Sequence, residues 1–347
     1  MEFALFNLMS LNHAGERPAE VMATTVEAVQ LAERTGFDAA WFAEHHFTSA
    51  SICASPLMMV AHCAAVTRRI RLGPAVVVLP LHHPLRAVQE IGMAQLMAPG
   101  RLILGIGTGH QPHEFRSYGI DLGERTTILH EGWDILEQGL ATGQVALEGK
   151  HYRIPASPIC LPSAMPPLYL AGGDAGLIGR AARAGATLLI SPGLRWGDAA
   201  LPAKAKVEAP YRAAGFAGAD IPLGVQRYVF VTEDPAEQRR AAEGLLALSR
   251  STLALRLPDP PRQGVLLQAV PFEGEPSVDW LLEHAPIGSA EKVARILADD
   301  LRALRPTHVS LYSGFSGLGQ GPVLAAVERL GRHVLPALRG AARALAA

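Results

Sequence analysis

The stretch AEVMATTVEAVQLAERTGFDAAWFAEHHF, residues 19–47, holds a helix, a strand and a polar cluster in immediate succession. Over 19–36, Val21, Met22, Val26, Val29 and Leu31 recur at near-helical spacing. Gly36 stands where a helix ends. The run FDAAWFA (37–43) is apolar at successive positions, as expected of a strand covered on both faces. It stops at Glu44, His45 and His46. A carboxylate and two histidines directly after a buried strand would be costly in a core, so the strand is expected to deliver them to a functional edge.

Outward from this unit the same alternation continues. Strands are expected at 3–9, 37–43, 70–79, 101–107, 167–173, 186–191, 222–231 and 307–313, nearly all followed by a segment of helical period. Helices are expected from about Pro56, over 83–97 and around 124–141. Eight such units in 347 residues predict a (β/α)8 TIM barrel with insertions, a single domain over 1–347. An open doubly wound sheet is the alternative. Two segments break the alternation. Residues 145–165 read as a hairpin excursion. Residues 249–286 are too long and Pro-rich for an ordinary connection and suit a lid or binding loop, with Leu253, Leu255, Leu257, Val265, Leu266 and Leu267 as an apolar wall.

Composition narrows the function. The chain is 49% hydrophobic and 18% charged with a formal net charge of −1, which provides no field for nucleic acid or an anionic membrane. No run is long enough to span a bilayer. The start, MEFALFNLM, lacks the basic region and cleavage site of a signal peptide. Cys53, Cys63 and Cys160 form neither a CxxC pair nor a disulfide framework, which fits a reducing cytoplasm.

In a barrel the strand C-termini carry the site. Glu44, His45 and His46 follow the second strand, and His82 and His83 the third. Gly107, Thr108, Gly109, His110 and His113 follow the fourth, Gly172, Gly173 and Asp174 the fifth, and Ser191, Pro192 and Gly193 the sixth. Seven of the thirteen histidines lie between 45 and 113. No His-x-His pair is present, and adjacent histidines on extended chain point apart, so no metal site is expected. There is no GxSxG. Cys63 follows His62 inside an apolar helical segment, where a thiol is a packing residue. His46, His62, His83, His130 and His333 read as structural. The loop GIGTGH (105–110) and the turn AGGDAGLIGRAARAG (171–185) are each weak phosphate signals; together, at one end of one barrel, they favour a phosphate site, with Asp174 as helix N-cap.

These residues carry a resemblance. GFDAAWFAEHHFT (36–48), LGPAVVVLPLHHPLRAVQE (72–90), MAPGRLILGIGTGHQPHEFRSYGID (97–121), YLAGGDAGLIGRAARAGATLLIS (169–191) and IGSAEKVARILADDL (287–301) resemble segments of the bacterial luciferase-like flavin monooxygenases. The likeness is weakest at 249–286. It implies FMN at the strand C-termini, supplied in reduced form by a separate flavin reductase and reacting with dioxygen to oxygenate a small-molecule substrate. His45 falls on the family's catalytic histidine and Glu44 on the carboxylate before it, which is expected to fix that histidine's tautomer or hold the flavin edge. Ala75 and Val76 fall where backbone lies beside the flavin, often through a non-prolyl cis peptide. Gly107, Thr108 and Gly109, then Leu170, Gly172, Gly173, Asp174 and Gly176, and Ser191 fall on cofactor-binding positions. Thr108 replaces an arginine of bacterial luciferase, Gly107 a cysteine, and Gly172-Gly173 a Glu-Ser pair, so a phosphate here depends more on backbone N–H groups. A homodimer through the first helices is implied as well. A deazaflavin-dependent oxidoreductase of the same fold and a non-catalytic flavin-binding protein are the competing readings.

Overall fold

The computed structural model describes residues 1–161, 163–217 and 221–346; Pro162, within the 145–165 excursion, lies outside them. The strands are β1 (Glu2–Asn7), β2 (Ala39–Phe42), β3 (Arg71–Pro74), β4 (Val77–Val78), β5 (Leu104–Gly107), β6 (Gln144–Glu148), β7 (Arg153–Pro158), β8 (Leu168–Ala171), β9 (Thr187–Ile190), β10 (Leu223–Tyr228), β11 (Phe230–Val231), β12 (Arg262–Gln263), β13 (Leu266–Leu267), β14 (Ile287–Gly288) and β15 (His308–Tyr312). Nine of them form one parallel sheet in the order β3-β2-β1-β15-β10-β9-β8-β5-β4. Its ends meet: Leu72 bridges Leu102, and Ile103 N donates to Leu72 O at 3.0 Å. The architecture is the expected (β/α)8 barrel.

Where an unbroken strand was expected at 70–79, the chain makes two, β3 and β4, on either side of a cis Ala75–Val76 peptide. The two together fill one barrel position. The run at 222–231 also divides. β11 leaves the barrel to pair with β14 (Phe230 with Ile287).

The strands are apolar on both faces because helices cover the outside and side chains fill the inside. All four residues of β2 and all five of β15 are buried. Prolines at the first turn of the helices Pro18–Thr35, Pro56–Val66 and Pro84–Met97 give up an amide that has no helical partner anyway. Gly36, at φ 95, closes the first of these, as its position in the sequence indicated.

Both interruptions have structure. β6 and β7 make an antiparallel hairpin. Residues 249–286 comprise the end of helix Pro235–Ala254, the hairpin β12–β13 and the helix Val278–His284. This segment is tied to the loop after β2. Ser49 N donates to Val265 O at 2.6 Å, Leu267 N to Ser49 Oγ at 3.0 Å, and an Arg262 guanidinium N–H to Phe47 O at 3.1 Å.

Candidate active site

At the C-terminal ends of the barrel strands lies a cavity of about 1420 Å³. Loops after β2, β5, β8, β9 and β15 form one side. Residues of the 249–286 segment, including Leu253, Leu255, Leu267 and Phe272, form the other. Leu257 and Val265, expected in that wall, are exposed instead. The wall contains Arg195, Lys206 and Arg256 but no Asp or Glu, so its charge suits an anionic ligand.

Beyond β2 the chain runs without strand or helix to His46 and bends at Phe47, whose φ is 62. Extended backbone sends neighbouring side chains to opposite sides. His45 lines the cavity, whereas His46 is buried. Glu44 is 2% exposed and is not in the cavity wall. Its Oε1 meets His46 Nε2 at 3.0 Å and His82 Nε2 at 2.8 Å, and its Oε2 accepts from Val78 N at 3.1 Å. The expectation that Glu44 fixes the tautomer of His45 is therefore corrected: it grips His46, His82 and the strand just past the cis peptide. Burial alone would push the Glu44 carboxyl up; the hydrogen bonds from His46 and His82 outweigh it and leave it below the ordinary range. Burial pulls His82 down, and Glu44 outweighs that to raise it.

The partners of His45 come from the segment after β5. Gln111 Nε2 lies 2.8 Å from His45 Nδ1, and Glu114 Oε1 lies 3.5 Å from the same nitrogen while accepting from His46 N at 2.7 Å. Gln111 and Glu114 are both 1% exposed, and neither was singled out in the sequence. Gln111 carries no charge, and Glu114 sits within a short helix, Pro112–Ser117, where acidic residues are commonplace. His110 also lines the cavity. Although open to that space, it is hemmed in by protein, and this desolvation, with His45 and Arg256 nearby, pushes its pKa down to about 4.

The expected phosphate glycines divide into two kinds. A Cβ on Gly107 would come within 2.7 Å of Val76 Cγ2, and one on Gly109, at φ 68, within 2.6 Å of Val78 Cγ1. These two are glycines because β4 and its approach pack against them. At Gly173 a Cβ would meet nothing within 4 Å, and at Gly172 only Thr108 Oγ1 at 3.9 Å. Both line the cavity. Asp174 caps helix Ala175–Arg183, its Oδ1 accepting from Leu177 N at 3.0 Å; a Cβ on Gly176, in that first turn, would lie 3.7 Å from His130 Nε2. Of the expected set, His45, Gly172, Gly173 and Ser191 are in the wall. Ala75 and Val76 are half-buried, Leu170 is fully buried, and these, with Glu44, Gly107, Thr108, Gly109, Asp174 and Gly176, are not part of it. Among the described residues, no three His, Cys, Asp or Glu side chains are grouped to hold a metal ion, and no helix is long and apolar enough to cross a membrane.

Barrel, cavity and cavity-wall histidine together are those of the luciferase-like monooxygenase class. The model of the luciferase-like monooxygenases matches residues 1–308, and the chain belongs to that family. It is 32% identical to the uncharacterized protein y4vJ of Sinorhizobium fredii, covering 98% of each chain. It is 30% identical to the alkanal monooxygenase alpha chain of the Kryptophanaron alfredi symbiont over 50% of this chain and 49% of that one. Two solved structures share the fold. The oxygenating constituent of 3,6-diketocamphane monooxygenase of Pseudomonas putida, in complex with FMN, matches at a TM-score of 0.75 and 18% identity over 97% of this chain and 98% of that one. An F420-dependent secondary alcohol dehydrogenase, in complex with an F420-acetone adduct, matches at 0.73 and 18% over 97% and 99%.

Proposed function

We propose that this cavity binds reduced FMN, delivered by a separate reductase, and that the protein uses it with dioxygen to oxygenate a small organic molecule. The observation that carries this reading is the cavity wall itself. Its lining holds a histidine whose Nδ1 is already partnered, two glycines open to the cavity, and three cations without a carboxylate. These features fit a flavin. Backbone at Gly172 and Gly173 can approach a phosphate closely, and Arg195, Lys206 and Arg256 favour its charge. FMN, when bound, supplies the electrons that activate dioxygen.

The protein's own part is to bind, orient and control protons. His45 can hold or deliver one through Nε2, the ring nitrogen that Gln111 does not engage. The lid segment, tied down through Ser49, keeps bulk water from the site, which limits loss of oxygen as hydrogen peroxide. Glu44 serves by holding His46, His82 and Val78 in place. The non-catalytic alternative leaves a partnered histidine in the cavity wall without a purpose. The deazaflavin reading draws on the likeness to the F420-dependent dehydrogenase, whose barrel superposes about as well.

The reading extends to the whole chain as one barrel domain, working in a reducing cytoplasm where Cys53, Cys63 and Cys160 stay free. It also includes a homodimer. Met58 (73% exposed) and Leu96 (69%), with Met93 and Met97, leave apolar surface on the second and third helices. The test of cofactor choice is calorimetric titration with FMN, reduced FMN and a deazaflavin. Reduced FMN is expected to bind most tightly. Binding of the deazaflavin alone would move the protein to the second reading.

A further inference from the structure

Gln111 stands in the cavity wall, yet almost none of its side chain is exposed. Its backbone carbonyl accepts from Glu114 N at 3.1 Å, which fixes the residue at the start of helix Pro112–Ser117. Among the described residues its carboxamide makes one hydrogen bond, from Nε2 to His45 Nδ1 at 2.8 Å. The other end of the amide, Oε1, is buried without a partner. A buried amide oxygen with no donor costs stability, and an apolar side chain of the same size would avoid that cost. Core packing therefore does not account for a glutamine here, whereas the imidazole does.

We propose that Gln111 is a positioning residue for His45: by donating to Nδ1 it holds the ring and keeps the histidine's own proton on Nε2, the nitrogen left to the cavity. The consequence for catalysis rests on the flavin reading above; the tautomer itself does not. A carboxamide suits the task because it has a donor and an acceptor. It donates to Nδ1 when the ring is neutral, and by turning over it accepts from Nδ1–H when the ring is protonated. A carboxylate at the same place could only accept, and would hold the ring in its charged form. The other titratable groups around His45 are Glu114, His113 and His110 from the segment after β5; Arg256 of the lid acts on His110. Glu114 Oε1, 3.5 Å away, is engaged with the His46 amide, which leaves Gln111 as the nearer partner of Nδ1.

The test is ¹⁵N NMR of the full-length protein with labelled histidine, the His45 signals being assigned by their loss in His45→Gln. No flavin is needed, so a failure of FMN to bind would count against the proposed function and leave this measurement intact. At a pH where the ring is neutral, wild type is expected to show a bare Nδ1 and a protonated Nε2. Gln111→Met should give a mixture of both tautomers. Gln111→Glu, which keeps the size of the side chain, should move the His45 titration up by about one unit or more, as a carboxylate within contact distance does. The pH profile of oxygen uptake by enzyme loaded with reduced FMN should shift with it, which loss of packing alone would not cause. If Gln111→Met does not fold, Gln111→Glu alone decides. A proton found on Nδ1 in the neutral wild type, or a His45 titration and tautomer unchanged by these substitutions, overturns the proposal.

Discussion

His308 and His45 lie at opposite ends of the same barrel and are treated in opposite ways. His308, at the start of β15, has both ring nitrogens spent. Trp41 Nε1 donates to its Nε2 at 2.7 Å, and its Nδ1 reaches Glu2 Oε2 at 3.3 Å. Glu2 is paired with Arg71 as well, and the His308 hydrogen bond, with that arginine, holds its carboxyl down at about 2. Trp41 and Tyr169 pack edge to face at 4.8 Å over this network. At the other end Gln111 Oε1, His113 Nδ1 and Ser313 Oγ are buried without partners among the described residues, and His45 has one nitrogen engaged. A closed network of hydrogen bonds serves stability. An open one, in a cavity wall, leaves groups for a ligand.

The largest expected effect is at the open end. His45→Ala should lower product formation by roughly 10²–10⁴-fold, the usual worth of a general acid or base. FMN binding should stay within a few-fold, and more of the oxygen consumed should emerge as peroxide. Single-turnover oxidation of preloaded reduced FMN, with product and peroxide both counted, reads this directly. An unchanged partition would remove His45 from the chemistry.

Glu44, like His308, is buried in a closed set of hydrogen bonds, although it directly precedes His45 in the chain. Glu44→Ala strips a buried carboxylate from two histidines, a loss of about 3–5 kcal/mol in stability. His308→Ala should cost about 1–3 kcal/mol, for the Trp41 donor it leaves unpaired, and should not alter the share of oxygen that reaches product. Denaturant unfolding alongside the product-to-peroxide ratio separates the two ends. A His308 variant that uncouples oxygen from product would erase the distinction.

A smaller effect follows pH. A carboxyl held below its ordinary 4.5, as Glu44 is, adds stability that is present above 4.5 and lost as pH falls through its folded value. A histidine raised above 6.5, as His82 is, adds stability that is present below 6.5 and lost as pH rises through its folded value. The pair therefore contributes most between pH 4.5 and 6.5. Thermal unfolding followed from about pH 6 to about pH 9 should show Tm falling by a few degrees, and His82→Gln should flatten that slope. An equal slope in both proteins would mean that His82 does not stay charged beside Glu44.

The sequence exposes the barrel because each strand is covered on both faces and reads as an unbroken apolar run. The division at 75–76 is invisible for the same reason: Ala75-Val76-Val77-Val78 is as apolar as any strand, and the cis bond was expected from family likeness alone. Alternation along extended chain correctly separates His45 from His46. It cannot show that Glu44 turns to His82, 38 residues away, since that pairing exists only once β3 is laid against β2. The glycines mislead in a similar way. Gly107 and Gly173 look alike in sequence, and only the packing around each shows that one is filled by Val76 and the other is open.

That last difference gives the most direct test of whether the cavity is a flavin site. At Gly173 a Cβ meets no protein atom within 4 Å, whereas at Gly107 it drives into Val76, so the effects of Gly173→Val and Gly107→Val on stability and on ligand should separate. Titration of reduced FMN into wild type and Gly173→Val, with Tm measured on the same samples, is the measurement. An unchanged Tm and an affinity lower by about tenfold or more are expected, since a side chain placed at the phosphate loop costs over about 1.4 kcal/mol of binding. Equal affinity in the two proteins would contradict it and place the flavin elsewhere.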